Sequence, residues 1–532
     1  MPPETTAPAT PASILSRLVA TPRALLSVLA VWLLATLGVR PLLLPDEGRY
    51  ANVAREMLHG DLLVPTLNGL PFFHKPPLMY WLDMVAMRLT DITPFAGRFA
   101  SMLGAWLMGA ALYFAMRRWH GERTASIALL LTATCPFFFL AGQYANHDML
   151  VAGLICTAIF AFARAVDEPA DGSGQALVGE PRSGPRRIGW APGAAVSLRW
   201  LVVGWIACAL AVLAKGLIGF VLPALVIGPW LLARGRWRQM LKLLHPLGLL
   251  GFVIVAAPWF VAMQLRYPGF NDYFFMEQHF RRFAQASFNN VHPFWFFIVA
   301  LPAATLPWVA WLPAALRRAW YERGPLVGLY VWWVIAIVGF FSLPSSKLVG
   351  YVLPALAPWC ALLAIAVAGE DNKPLGRAPR AALALGVLIC LGVVAGLAWK
   401  SPKSNRGAAI ALATQMAAGD RVVMVDEYFY DLPFYADLKK PALIASNWDD
   451  PAVPKSDNWR KELFDAARFE PTVGKDVLRP LVKLDALSCG TVTTWFVASP
   501  AQAGRVAALT GVQRVYADRN SELWRVPARL CS

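Results

Sequence analysis

Charge is scarce in this chain. Asp, Glu, Lys and Arg make up only 15% of its 532 residues, where a soluble protein carries about a quarter. An ordinary soluble enzyme is excluded. The seven cysteines include no CxxC pair, so neither a zinc site of that type nor a disulfide framework is indicated. Cys135, Cys156, Cys208, Cys360 and Cys390 fall inside apolar runs, and only Cys489 and Cys531 lie where an oxidising compartment would let them pair. Acidic residues are also few: 33 against 49 Lys and Arg, a net charge of +16. Such a balance fits either nucleic-acid binding or the basic excess in cytoplasmic loops of membrane proteins. No nucleic-acid-binding motif is present, and the basic residues come in short clusters between apolar runs. The second explanation is favoured.

What is abundant is apolar length. Apolar residues make up 57% of the chain and mean hydropathy is +0.48. Runs long enough to span a bilayer are expected at Ala24–Leu44, Phe95–Met116, Ala125–Gly142, Met149–Ala165, Trp200–Leu213, Leu217–Leu232, Leu244–Met263, Phe294–Pro313, Leu326–Phe341, Leu348–Ala368 and Ala381–Trp399. The expected fold is a polytopic α-helical membrane domain over 1–400 with about eleven spans, followed by a small soluble α/β domain over 401–532. In the latter, Arg421–Val425, Thr491–Ala498 and Glu522–Val526 read as strands and Glu462–Ala467 as a short helix. The Pro-, Ala- and Thr-rich segment Met1–Ser16 and the Gly-, Pro- and Arg-rich stretch Asp167–Arg199 read as flexible.

Basic clusters near Arg17/Arg23, Arg117/Arg118/Arg123, Arg182/Arg186/Arg187, Arg234–Arg238, Arg317/Arg318/Arg323 and Arg377/Arg380 occupy alternate loops, all on one side. The positive-inside bias makes that side, with the N-terminus, cytoplasmic. The loops 45–94, 143–148, 215–216, 264–293 and 342–347, and the C-terminal domain, are then external. In the first of these, Tyr50, Val53, Met57 and Leu58 recur at helical spacing, as in an amphipathic helix lying on the membrane surface.

The external loops hold most of the polar groups that topology does not explain. Asp46-Glu47 follows the first span, with Asp46 either a helix cap or an active-site carboxylate. His74-Lys75-Pro76-Pro77 is held extended by its prolines. Lys75 either snorkels to the headgroups or holds a phosphate as a point charge. Asp148 brings a second carboxylate, or a cap, to the same face. Lys215-Gly216, then Glu277, His279, Arg281 and Arg282, then Ser345-Ser346-Lys347 follow, with Tyr351 one helical turn beyond Lys347. Carboxylates and cations gathered on one side mark a site at that face. A transporter or flippase would instead place ionisable groups near the bilayer midplane.

These residues carry a resemblance. Pro45-Asp46-Glu47-Gly48-Arg49-Tyr50, with Ala54-Arg55-Glu56-Met57 behind it, resembles the first-loop motif of the bacterial aminoarabinose transferases, which group with the protein O-mannosyltransferases in the GT-C superfamily. His74-Lys75-Pro76-Pro77-Leu78-Met79-Tyr80-Trp81-Leu82 is similar to their Glu-Lys-Pro-Pro segment. Leu213-Ala214-Lys215-Gly216, the Glu277–Phe283 stretch, Ser345-Ser346-Lys347, Tyr351-Val352-Leu353-Pro354 and Asp431-Leu432-Pro433-Phe434-Tyr435 also match. Two departures stand out. His74 replaces the usual Glu, which serves a metal in relatives, and about eleven spans are expected where aminoarabinose transferases are described with thirteen.

The resemblance implies a GT-C fold in the bacterial inner membrane and an inverting glycosyl transfer at the periplasmic face. The donor would be a polyprenyl-phosphate sugar such as 4-amino-4-deoxy-L-arabinose, and the acceptor lipid A phosphate or another envelope glycan. Asp46, Glu47 and Asp148 are the implied catalytic carboxylates. Lys75, Lys215, Arg281, Arg282, Lys347 and Tyr351 are the implied donor and phosphate ligands. His74, Glu277 and His279 are of ligand type for a divalent metal ion, although lone histidines at membrane surfaces are more often plain polar residues. A lipid-linked donor requires no nucleotide cofactor. A transferase acting on another glycan or a protein is the alternative within the class, and a lipid-linked sugar flippase the alternative outside it.

Overall fold

A computed structural model describes residues 21–167, 196–281, 290–322, 324–369, 375–400 and 403–529, with only the backbone at 279–281. The segments expected to be flexible, Met1–Ser16 and most of 167–199, fall outside the described residues, as do the basic positions Arg17, Arg182, Arg186, Arg187 and Arg323.

Every expected span has a helix. The first, α1 (Pro22–Leu34), opens with Thr21 accepting from the backbone N–H of Ala24 and with Pro22 at its first position, a start that leaves no wasted donor. After α2 (Asp46–His59) and α3 (Leu78–Thr90) of the external loop come α4 (Phe99–His120), α5 (Glu122–Ala133), α6 (Pro136–Gly142), α7 (His147–Asp167), α8 (Leu198–Lys215), α9 (Ile218–Leu232) and α10 (Pro246–Arg266). Then follow α11 (Phe296–Ala304), α12 (Leu312–Glu322), α13 (Pro325–Ser342), α14 (Leu353–Ala368) and α15 (Arg377–Lys400).

Seven helices are long and apolar enough to cross a membrane unbroken, two further spans are bent pairs, and α1 and α9 are shorter apolar helices. Together these account for the eleven expected spans. The bends are 66° between α5 and α6 and 108° between α11 and the helical stretch from Trp308. Pro136 and Pro307 stand at these breaks; each removes a backbone donor and disfavours helix in the residue before it.

The C-terminal region forms one six-stranded sheet in the order β5-β4-β3-β6-β8-β7, numbered after the short external hairpin β1 (Thr66–Leu67) and β2 (Leu70–Pro71). Its strands are β3 (Arg421–Val425), β4 (Leu443–Ser446), β5 (Leu478–Pro480), β6 (Thr494–Ala498), β7 (Gln513–Ala517) and β8 (Glu522–Val526). The β5-β4-β3-β6 half is parallel and β8 and β7 are antiparallel additions. Helix α16 (Trp459–Ala467) is capped by Asn458, which accepts from the N–H groups of Arg460 and Lys461. Cys489 is disulfide-bonded; Cys531 falls outside the described residues.

Helix α2 differs from the expectation that it lies on the membrane surface. Most of its residues, including the polar Asn52 and Arg55, are buried. The sheet domain covers its polar face. Arg55 donates to the carbonyl of Leu438 at 2.6 Å. Asn68 and Ala442 exchange two hydrogen bonds of 2.9 and 2.8 Å, and the Tyr435 hydroxyl accepts from the N–H of Leu42 at 2.7 Å. An interfacial helix would leave these polar groups in water; here each has a protein partner.

Candidate active site

Two charge clusters flank a pair of aromatic rings at the ends of the spans opposite the basic loops. The first joins the external loop to the sheet domain. Asp46 is not the cap of α2: Pro45 holds that place, and Asp46 is the first helical residue. Its carboxylate is 31% exposed and lies 3.4 Å from the Arg49 guanidinium. Arg49 reaches Glu462 of α16 at 3.3 Å and stands over the Tyr430 ring at 4.8 Å. Glu462 also accepts from the Tyr430 hydroxyl and lies 3.6 Å from Nδ1 of His74. Burial pushes the Glu462 carboxyl up, and Arg49 and the Tyr430 hydroxyl pull it part of the way back. Burial opposes the Arg49 charge, but Glu462, Tyr430, Tyr50 and Asp46 together hold it firmly protonated.

The second cluster is built on span ends. Asp148 pairs with Lys215 at the C-terminus of α8, and the Lys215 ammonium lies 4.8 Å from the centre of the Tyr351 ring. Asn146 caps the turn by accepting from the N–H of Asp148 at 3.0 Å. Gly350 makes room here, because a Cβ on it would stand 2.3 Å from the Asp148 carboxylate. Between the clusters His147 is fully buried, edge-on to Tyr50 at 4.6 Å and Tyr80 at 5.2 Å. Among the described residues neither of its ring nitrogens has a hydrogen-bond partner. Lys75 and Lys215 both lie within electrostatic reach of His147, and Lys75 donates to the carbonyl of its neighbour His74 at 3.1 Å.

The structure brings together Asp46, His74, Lys75, Asp148, Lys215 and Tyr351 of the expected set. Glu47 must be reassigned. It is wholly buried, accepts from Arg40 and Arg98, and also accepts from the N–H groups of Leu43 at 2.8 Å and Ala145 at 2.9 Å. Burial alone would raise its carboxyl; Arg98 and Arg40 override this and hold it at about 2. With every lone pair engaged, Glu47 is the pin that joins the first span, α2 and the turn before α7. Lys347 is reassigned too. It is 2% exposed, and its ammonium donates to the carbonyls of His292, Pro344 and Ser345. Three donors on three carbonyls clamp the loops at 290–292 and 344–347 and leave none for a phosphate. Lys347 and Tyr351 therefore do not act as one helical face.

The side chains of Arg281 and His279, and the whole of Arg282, fall outside the described residues. Glu277 lies in the π-helical stretch Asp272–Arg281. Among the described residues no three His, Cys, Asp or Glu side chains come close enough to hold a metal ion. Where His74 meets a carboxylate, that carboxylate already carries Arg49, a poor setting for a divalent cation.

Glu462, Tyr430 and His147 are the site residues that sequence reasoning missed. Glu462 carries a faint signal as a charged residue in the first turn of a capped helix. Only the packing of the sheet domain on α2 turns it toward the membrane face.

The comparisons fit this geometry. The family model for dolichyl-phosphate-mannose-protein mannosyltransferase matches residues 74–178, a stretch that runs from His74 through Asp148. An undecaprenyl phosphate-alpha-4-amino-4-deoxy-L-arabinose arabinosyl transferase of Erwinia tasmaniensis is 34% identical over 376 residues, covering 69% of this chain and 64% of that protein. Its counterpart in Aeromonas hydrophila is 33% identical over 397 residues, covering 73% of this chain and 68% of the relative. The chain belongs to this arabinosyl transferase family. The match spans about two thirds of the length of these relatives. Among solved structures, ArnT from Cupriavidus metallidurans, crystallised with undecaprenyl phosphate, superposes with a TM-score of 0.75 at 22% identity, covering 96% of this chain and 98% of that one. The protein is thus a multi-pass membrane protein with the GT-C fold of that family.

Proposed function

We propose that this protein is a glycosyltransferase that moves a sugar from a polyprenyl-phosphate carrier to an envelope acceptor at the non-cytoplasmic face of the bacterial inner membrane. The observation that carries the reading is the convergence of Asp46, Arg49, Lys75, Asp148 and Lys215 at the span ends, around the buried Tyr50–His147 pair. The relatives' names specify undecaprenyl phosphate as the carrier and 4-amino-4-deoxy-L-arabinose as the sugar, and that donor suits this site. Lipid A phosphate is the acceptor we favour.

In this reading an acceptor oxygen attacks the anomeric carbon as the bond from that carbon to the carrier phosphate breaks. The electron pair leaves on the phosphate, and the configuration inverts. Negative charge grows on the leaving phosphate, so a fixed cation there stabilises the transition state more than the ground state. Lys75 takes that role. Lys215 is already paired with Asp148 and orients the site beside it. Asp46 is the more exposed carboxylate and faces the acceptor, positioning an ionised phosphate or taking the proton of a hydroxyl. Arg49 and Glu462 hold Asp46 in place. No step is routed through a metal.

A flippase is disfavoured because the site's carboxylates and cations gather at one end of the spans, and among the described residues no ionisable groups form a chain across them. Release of free polyprenyl phosphate by the detergent-solubilised protein tests the reading.

A further inference from the structure

A cavity of about 700 Å³ opens at the opposite ends of the spans, between the C-terminus of α9 and the N-terminus of α13, lined by Pro229, Trp230, Arg234, Arg236, Gly328 and Trp332. Helix α9 has 15 residues, so at about 1.5 Å per residue the cavity lies roughly 22 Å along the helix from Lys215. It is no part of the site described above. A second hollow of about 370 Å³ shares Gly328 and Trp332 and continues past Ala319, Val327, Val331 and Ile335. The positions 327, 331 and 335 follow one face of α13 toward the middle of the span. Ile335 is exposed there, as a lipid-facing side chain is.

The head of this groove is basic and its tail is apolar. Arg234 makes no ion pair among the described residues, and it approaches so closely that a Cβ on Gly328 would stand 2.9 Å from its guanidinium. Arg236 is buried, 8% exposed, and donates to Gln239 at 3.1 Å. Burial works against both charges and Arg234 adds repulsion to Arg236, which attraction to Asp167 only partly offsets. Two neighbouring, partly desolvated guanidiniums are stabilised by an anion with several acceptor oxygens. Two indoles flank the same space, as at a headgroup boundary. Basic pockets between spans on the basic side of a membrane protein suit phosphate headgroups.

We propose that this groove is a binding site for an anionic glycerophospholipid of the leaflet on the basic side. Its phosphate sits between Arg234 and Arg236, and an acyl chain lies along Val331 and Ile335. The site is separate from the one at which the sugar donor reacts, and its occupancy does not depend on the proposed transfer.

The test uses the full-length protein, delipidated in a zwitterionic detergent and titrated separately with phosphatidylglycerol, phosphatidylcholine, undecaprenyl phosphate and inorganic phosphate, with bound lipid read by native mass spectrometry. Phosphatidylglycerol should bind at least tenfold more tightly than phosphatidylcholine. Arg234→Glu, at an exposed position, should abolish that preference, Arg234→Lys should keep part of it, and Gly328→Phe should lower binding by filling the groove. Equal binding of the two phospholipids would overturn the proposal. So would a preference that survives Arg234→Glu in a folded protein, tighter binding of undecaprenyl phosphate than of phosphatidylglycerol, or competition by inorganic phosphate at the same concentration as the lipid.

Discussion

Glu462 of the sheet domain and Arg49 of α2 lie 3.3 Å apart, and this contact makes two parts of the chain into one site. Arg49 in turn holds Asp46 at 3.4 Å. The carboxylate assigned to the acceptor is therefore positioned through the C-terminal domain, which on its own sequence has no chemistry to offer.

Glu462→Ala leaves the Arg49 charge buried without its main partner and the Tyr430 hydroxyl without an acceptor. Breaking a buried pair from one side costs about 3–5 kcal/mol of stability, and in the protein that remains folded the loosened Arg49 should let Asp46 shift and lower turnover by about two orders of magnitude. Glu462→Gln still accepts from Tyr430 and should fall in between. Steady-state turnover of the two purified variants is the measurement; unchanged turnover in a folded Ala variant would remove the sheet domain from the site.

Asp46→Asn separates charge from capping. Because Pro45 occupies the cap position and Asp46 makes no capping hydrogen bond, the substitution should leave α2 intact. Turnover should nevertheless drop about a hundredfold or more, with donor binding retained. An Asn variant of normal turnover would assign the acceptor side to another residue.

Glu47→Gln and Lys347→Gln should behave oppositely, harming the fold and not the chemistry. Removing the Glu47 charge leaves Arg40 and Arg98 buried and unbalanced, a loss of about 3 kcal/mol or more. The Glu47 pKa is depressed to about 2. The stability it supplies is present above its ordinary value near 4.5 and lost as pH falls toward 2. Thermal unfolding in detergent should show a large drop for both variants, while the folded fraction keeps the wild-type KM for donor. A raised KM with unchanged unfolding temperature would return Lys347 to the donor site.

Asp431 gives a pH dependence of the opposite sign. Burial pushes its carboxyl up to about 6, although Asn405 and Ser404 donate to it. A raised acid favours the fold fully below its ordinary value near 3.8, and that stability is lost as pH rises from there through about 6, by on the order of 3 kcal/mol. Unfolding temperature should fall from about pH 4 to about pH 6 in the wild type and level off above that, and Asp431→Asn should flatten that fall. An identical slope in both proteins would contradict the assignment.

The sequence made the fold legible because membrane spans announce themselves. Leu244–Met263 and Ala381–Trp399 are apolar runs that only a lipid-facing helix satisfies; the first overlaps all but the last turn of α10 and the second lies within α15. The strands at Arg421–Val425 and Glu522–Val526 were equally plain, whereas β4, β5 and β7 are short and carry no alternation strong enough to read. Asp46, Lys75 and Asp148 could be picked out as charges at the ends of apolar runs. Glu47 and Lys347 look the same by that criterion, and only their partners, two arginines and three carbonyls, show them to be structural. Glu462 shows in the sequence only as a charge in a helix's first turn; its contact with Arg49 spans some four hundred positions of chain, and no local pattern encodes it.

In the proposed transfer, Lys75 stabilises a phosphate as it leaves. Purified protein in detergent, where no sealed compartment exists, should release free polyprenyl phosphate from a polyprenyl-phosphate sugar when given a lipid A acceptor. Lys75→Ala should lower kcat by about a hundredfold or more with a smaller change in KM, since the interaction strengthens in the transition state. Absence of release by the wild type with every lipid-linked sugar and envelope acceptor supplied, together with donor movement across sealed vesicles, would contradict the transferase and establish a flippase.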